Sequence, residues 1–239
     1  MRKDALVVGE IYHIFNKSIA EFNIFNNTSE FLRMLNVIRY YQMEKPLIKF
    51  SELLRSLKIQ LSDVNISFPE RPDKEKLVEI ITYCLMPTHI HLILKQLKED
   101  GISIFMNRIL NSYTRYFNIK HKRKGPLWES RFRNVLVDSD EQLLHLTRYI
   151  HLNPVTASLV DKPEKWLASS YREYLLKVNE MDKICKYDGI LNIDQISYKD
   201  FVEDRISYQR ELAKIKNLLI EKILPYPYLT LSHRVGVER

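Results

Sequence analysis

Leu77-Val78-Glu79-Ile80-Ile81-Thr82-Tyr83-Cys84-Leu85 is rich in β-formers, Pro87-Thr88 interrupts it, and His89-Ile90-His91-Leu92-Ile93-Leu94-Lys95 resumes the pattern. Residues 77–95 therefore predict two strands joined as a hairpin. Downstream, Asp100-Gly101 closes this unit. Phe105, Ile109, Ser112 and Tyr116 then form one stripe and Met106, Leu110, Tyr113 and Phe117 an adjacent one, which predicts a long helix with a broad buried face. A short strand follows at Phe132 to Val137. Upstream, Tyr12 to Ile19 alternates as a strand, Asn26-Asn27-Thr28 marks a turn and cap, and Phe31, Leu32, Leu35, Ile38 and Tyr41 give residues 29–42 helical spacing. The order strand, helix, strand, strand, helix, strand is the split βαβ plan. It predicts a ferredoxin-like α+β domain, an antiparallel sheet with helices packed on one face.

Around this frame the chain divides in two. Residues 1–160 are read as one catalytic domain, with an insertion at about 44–75 that contains Pro46, Pro69 and Pro72 and one short helix. Ser139 and Gln142 form a capping box opening a helix from Asp140 to Leu152, with Pro154 as its stop. Residues 161–239 are read as a mainly helical C-terminal extension, with Tyr171–Val178 and Tyr198–Leu224 as helices and Pro225-Tyr226-Pro227 as a terminator.

Composition narrows the partners. Lys plus Arg outnumber Asp plus Glu by 37 to 30, and the pI near 9.2 favours a polyanion. The excess gathers in one window, where Lys120, Lys122, Arg123, Lys124, Arg131 and Arg133 surround Gly125, Pro126 and Trp128. Basic heads beside an aromatic surface suit phosphates and unstacked bases, although a solvated charged loop has the same composition. Cys84 and Cys185 stand far apart without a CxxC or Cys/His cluster, so neither a disulfide framework nor a zinc module is indicated, and a cytoplasmic location fits. No targeting or membrane segment is read. The chain lacks a Gly-rich phosphate loop, a GxSxG elbow and an HExxH signature, which sets aside the corresponding enzyme classes.

Two places remain for chemistry. Alternate residues of a strand point the same way, so His89 and His91 lie side by side on one face, a geometry that suits one divalent metal with open positions for a phosphate oxygen. Two unrelated histidines at a strand start would read the same. His145, Tyr149 and Asn153 follow at steps of four and drift slowly around one helix face. There Tyr149 offers a phenolate to attack a phosphodiester and Asn153 an amide oxygen as third ligand. A half-buried tyrosine with a bonded hydroxyl is the structural alternative. Tyr113 and Tyr116 compete as nucleophiles, but they fall on apolar stripes and are read as core.

Four blocks, taken together, resemble the REP-associated tyrosine transposases and the related insertion-sequence transposases with a single catalytic tyrosine, members of the HUH nuclease superfamily. They are Leu85-Met86-Pro87-Thr88-His89-Ile90-His91-Leu92, Asn111-Ser112-Tyr113-Thr114-Arg115-Tyr116-Phe117-Asn118, Gly125-Pro126-Leu127-Trp128-Glu129-Ser130-Arg131-Phe132 and Tyr149-Ile150-His151-Leu152-Asn153-Pro154-Val155. With the flanking strand and the Trp166 to Tyr174 segment, the resemblance spans residues 12–174.

What the resemblance implies is a metal-dependent nuclease and strand transferase acting on single-stranded or hairpin DNA. It makes His89 and His91 ligands of Mg²⁺ or Mn²⁺, Tyr149 the nucleophile that forms a 5′-phosphotyrosine, and Asn153 the third ligand, where relatives carry a glutamine or another polar group. Lys122, Arg123, Lys124, Arg131 and Arg133 then clamp the DNA backbone, and Trp128 stacks a base. The family contains monomers and homodimers, and both stay open here. A cytoplasmic protein, nucleoid-associated when bound to DNA, is implied. The alternative is a domesticated DNA- or RNA-binding protein that keeps the fold and no longer cuts.

Overall fold

The computed structural model describes residues 5–57, 75–191 and 193–211. Its frame is a four-stranded antiparallel sheet formed by β1 (Ile11–Lys17), β2 (Val78–Met86), β3 (His89–Gln96) and β4 (Arg133–Leu136), in the order β2-β3-β1-β4. The helices are α1 (Thr28–Tyr41), α2 (Phe50–Ser56), α3 (Gly101–Lys120), α4 (Asp140–Thr156), α5 (Tyr171–Tyr174) and α6 (Gln195–Glu203). Sequence order and sheet order together are those of the split βαβ plan. The short helix expected in the insertion is α2, while residues 58–74 of that insertion, residues 212–224 of the expected last helix and the Pro225-Tyr226-Pro227 terminator lie outside the described residues.

Local chemistry sets the element ends. The Asn27 side chain accepts from the Glu30 N–H at 3.2 Å and starts α1. Ser139 accepts from the Gln142 N–H, and the Gln142 side chain accepts from the Asp138 N–H, so the expected capping box opens α4 one residue wider. Gly101 begins α3 where the chain presses on the start of β2. A Cβ there would stand 2.4 Å from the Leu77 carbonyl oxygen, a contact no side chain can make.

α1 and α3 pack together on one face of the sheet. Tyr12, Ile14, Ile90, Leu92 and Leu94 from the strands meet Met34, Ile38, Phe105, Ile109 and Tyr113 there in one buried cluster. The opposite face carries a second cluster, in which Ile81, Cys84, Met86 and Ile93 meet Leu143 and Ile150 of α4. β2 is buried along its whole length because it is covered on both faces, which accounts for its continuous apolar run.

β2 is also an edge strand, and the segment after α4 closes its free edge. Leu85 N–H donates to the Ala168 carbonyl, Ser170 N–H to that of Tyr83, and the Trp166 indole N–H to that of Leu85. These bonds remove a row of unpaired backbone groups. The expected stop at Pro154 is corrected: α4 runs through it to Thr156. Proline forfeits its own backbone bond and its ring crowds the carbonyl four residues back, but Leu152 and Val155 on the final turn are buried against Tyr171, Tyr174, Tyr198 and Val202, so packing outweighs the breaker.

Candidate nucleic-acid cleavage site

Register decides which side chains meet. Phe15 pairs with His91 and with Arg133, Lys17 with His89, and His13 with Ile93 and Val135. Paired residues of antiparallel strands share a face, so His13, Phe15, Lys17, His89, His91 and Arg133 all lie on the face that α4 covers. The paired histidines expected on one strand face are therefore present, and the neighbouring strand adds a third.

The His89 and His91 ring centres are 5.0 Å apart with planes at 89°. A metal–nitrogen bond of about 2.1 Å places each ring centre about 3.3 Å from an ion, so two ligands at angles between square and tetrahedral have centres about 4.6–5.4 Å apart. The observed separation falls in that span. Each ring also has its Nδ1 engaged: His91 Nδ1 lies 3.0 Å from His13 Nε2, and His89 Nδ1 lies 3.0 Å from Thr88 Oγ1. Such a bond fixes the ring and leaves Nε2 for a ligand role.

Protonation favours that role. Burial pushes His13 and His89 down to about 4, Lys17 adding to the effect at His89, and burial drives His91 well below its ordinary value with help from both histidines and Lys17. Neutral imidazoles with available lone pairs result at neutral pH.

Among the described residues no three His, Cys, Asp or Glu side chains converge as a metal cage. His13 stands behind His91, its Nε2 against the His91 Nδ1. Asn153 is half-buried one helical turn beyond Tyr149, and its amide Nδ2 is shielded from water without a partner. The spacing and neutral state of the two imidazoles fit a divalent ion.

Tyr149 sits half-buried on α4 with its ring edge-on to His91, centres 6.0 Å apart. It lines a cavity of about 540 Å³ with His13, Phe15, His145 and Arg148. His145 and Tyr149 thus share a cavity as their spacing predicts, whereas Asn153 is not among the lining residues. The competing tyrosines are placed as core: Tyr113 is fully buried and donates to the Ile24 carbonyl, and Tyr116 packs partly buried against the same cluster.

His151, in the fourth sequence block, holds α4 in place. Fully buried, it bonds Tyr198 Oη through Nδ1 at 2.7 Å and Ser170 Oγ through Nε2 at 2.8 Å. Ser170 in turn bonds both backbone groups of Tyr83 on β2. The helix bearing Tyr149 is thereby tied to the sheet bearing the histidines.

The basic window divides. Arg133 is exposed on the site face beside Phe15, and Arg131 is exposed just before β4, its carbonyl held by the Asn16 side chain. Lys122 and Lys124 are exposed, while Arg123 binds Asn118 Oδ1 and the Pro126 carbonyl. This loop rejoins the sheet at the end where His89 and Lys17 lie, through Ile19 N–H to the Leu127 carbonyl and Glu129 N–H to that of Lys17. Trp128 is corrected: it is only 8% exposed and packed among Tyr113 and the α3 cluster, so its faces are not offered to a base. Its indole fills the junction between β1 and α3, where apolar area outweighs a surface role. Sequence reasoning missed His13 and Lys17. Their alternation with Phe15 along β1 carried the signal, but only the register with β3 gives it meaning.

Residues 56–153 match the family model of the IS200-like transposases, a span that holds all four sequence blocks up to Asn153. A Haemophilus influenzae protein described as a REP-associated tyrosine transposase is 30% identical over 104 residues, covering 39% of this chain. The chain spans 58% of that relative's length. The solved structure of a REP-associated tyrosine transposase bound to a REP hairpin superposes with a TM-score of 0.50 at 16% identity, covering 78% of this chain and 92% of that one. That likeness shows a shared fold, and the resemblance carried by the four blocks is matched at the level of a family. No helix among the described residues is long and apolar enough to cross a membrane.

Proposed function

We propose that this chain cleaves and rejoins single-stranded DNA, with Tyr149 as nucleophile and Mg²⁺ or Mn²⁺ held by His89, His91 and Asn153. The observation that carries it is the meeting of the Tyr149 ring with His91, 6.0 Å between centres, brought about by two elements far apart in sequence. Residues 1–160 would form the catalytic unit and 161–239 an extension, of which Ser170, Tyr171, Tyr174, Tyr198 and Val202 brace α4.

The Tyr149 oxygen bonds the scissile phosphorus, the bond from phosphorus to the 3′-oxygen breaks, and the phenolic proton ends on that departing oxygen. A 5′-phosphotyrosine and a free 3′-hydroxyl result. The ester keeps the energy of the broken linkage, so a second 3′-hydroxyl reverses the step and joins a different strand without ATP. When bound, the cation polarises the phosphate and stabilises the charge developing on it. Lys17 and Arg133, on the same face, and Arg131, Lys122, Arg123 and Lys124 at its edge attract and align the backbone. Hairpin DNA is the natural substrate form, in keeping with the hairpin bound to the structural relative.

The test is a covalent adduct. Full-length protein with Mn²⁺ and a labelled hairpin oligonucleotide carrying a single-stranded flank should yield a protein band retaining label under denaturing conditions. Tyr149→Phe should lower the adduct by at least about a thousandfold, in line with loss of a nucleophile, while leaving DNA affinity unchanged. An adduct of equal yield in Tyr149→Phe overturns the assignment.

A further inference from the structure

α4 carries Tyr149 on one flank and His151 on the other. Successive helical residues turn by about 100°, so the two stand about 200° apart around the axis. Ile150 between them is buried against the sheet with Ile81, Cys84 and Ile93. His151 is not among the described residues that line the cavity at Tyr149, so it acts on the site through the helix.

The bonds of its ring have a definite direction. Ser170 Oγ accepts from the Tyr83 N–H at 3.0 Å and reaches the Tyr83 carbonyl at 3.2 Å. It also lies 2.8 Å from His151 Nε2, while Tyr198 Oη lies 2.7 Å from His151 Nδ1. A hydroxyl has one proton, and a carbonyl oxygen can only accept. For all four contacts to be hydrogen bonds at once, the Ser170 proton goes to the Tyr83 carbonyl, His151 Nε2–H donates to Ser170, and the Tyr198 hydroxyl donates to Nδ1. This needs a neutral ring, and burial holds His151 down to about 3.

The path of contacts closes on itself. Tyr83 adjoins Cys84, which pairs with His91 in the β2–β3 register, and His91 meets the Tyr149 ring. Apolar packing is non-directional, whereas a hydrogen bond weakens steeply once it is bent. The bonds at His151 therefore fix how far α4 is turned. We propose that His151 is a positioning residue for strand cleavage: held between Ser170 and Tyr198, it sets the rotation of α4 that presents Tyr149 to His91, so that two residues of the C-terminal extension govern the chemical step. The proposal rests on Tyr149 being the nucleophile. At the reach of helical side chains, about 5–6 Å from the axis, a turn of about 10° moves a group by about 1 Å. A misplacement of that size costs a reaction about a hundredfold.

Tyr198→Phe is the deciding variant, because it removes one oxygen from α6 and keeps the ring that packs against His151 and Tyr174. Ser170→Ala removes the partner at the other nitrogen. His151 stays intact in both, so a folding failure at the buried ring does not enter. Adduct formation is measured in a single turnover with the full-length chain, saturating hairpin oligonucleotide and saturating Mn²⁺, well below the thermal midpoint of each variant. The rate should fall about 10–100-fold in each, while the Kd for DNA and the Mn²⁺ concentration for half-maximal rate stay unchanged. A chain that is still folded at the assay temperature loses no rate through its stability alone. Since both variants act through one ring, the double variant should lose little more than the slower single one. An unchanged rate in both variants, from a wild-type chain that forms the adduct, overturns the proposal and leaves the nucleophile assignment standing. So does a slower rate matched by an equal loss of DNA or Mn²⁺ affinity, which would place the effect on binding. A wild-type chain that forms no adduct sinks the catalytic reading and this one with it.

Discussion

The two faces of the sheet are built from alternate residues of the same strands and could hardly differ more. Under α1 and α3, Tyr12, Ile14, Ile90, Leu92 and Leu94 meet helix residues that are as apolar as they are. Under α4 the intervening positions are His13, Phe15, Lys17, His89 and His91, and the burial there is less complete at Lys17 and His89. The first face supplies the larger share of the free energy that holds the strands together, and the smaller cluster of Ile81, Cys84, Met86 and Ile93 under α4 adds to it. The other spends part of it by burying three imidazoles that would rather be hydrated. A period of two lets one strand serve both ends, because neighbouring residues never compete for the same environment.

Removing bulk from the first face should have the largest effect on stability and little direct effect on chemistry. Phe105→Ala, at a fully buried position of α3, should cost about 3–5 kcal/mol, read as a lowered urea midpoint. A cost below about 1 kcal/mol would mean that this face is not the main cohesive one. On the other face the order should reverse. His13→Ala should leave the midpoint nearly in place but raise the Mn²⁺ concentration for half-maximal adduct formation by about 10–100-fold, the usual effect of deleting the partner of a metal-binding imidazole. An unchanged metal requirement would reduce His13 to packing.

The smallest effect concerns the rim of the first face. Burial alone would raise Glu30, yet hydrogen bonds from Lys120, Asn26 and His121 hold its carboxyl down to about 2 from an ordinary 4.5. A depressed carboxyl contributes stability above the unfolded value and loses it as pH falls toward the folded one. Thermal midpoints should therefore drop between about pH 4.5 and 2, and Glu30→Gln should flatten that drop. Parallel curves for the two proteins would show that the carboxylate is not titrating there.

Much of this was legible without coordinates. The hairpin at 77–95, the helix stripes after Phe105 and the flanking strands specify the split βαβ order, and the His-x-His spacing specifies a shared face. Pro154 and Trp128 show where such reasoning ends. A proline reads as a stop because it lacks an N–H, but the apolar contacts of Leu152 and Val155 carry α4 past it. A tryptophan among basic residues reads as a stacking platform, but the same ring fills the space beside Tyr113. In both, a residue's local tendency was outweighed by neighbours distant in sequence.

By itself the sequence determined the order of elements, the pairing of His89 with His91 and the family blocks, because these depend on periods and spacings within short segments. Only the tertiary structure decided that His13 stands behind His91, that α4 lies across the histidine face, and that Arg33 is enclosed by Phe50 and Tyr116. Those facts rest on strand register and helix packing, which join residues whose separation along the chain carries no signal of their contact.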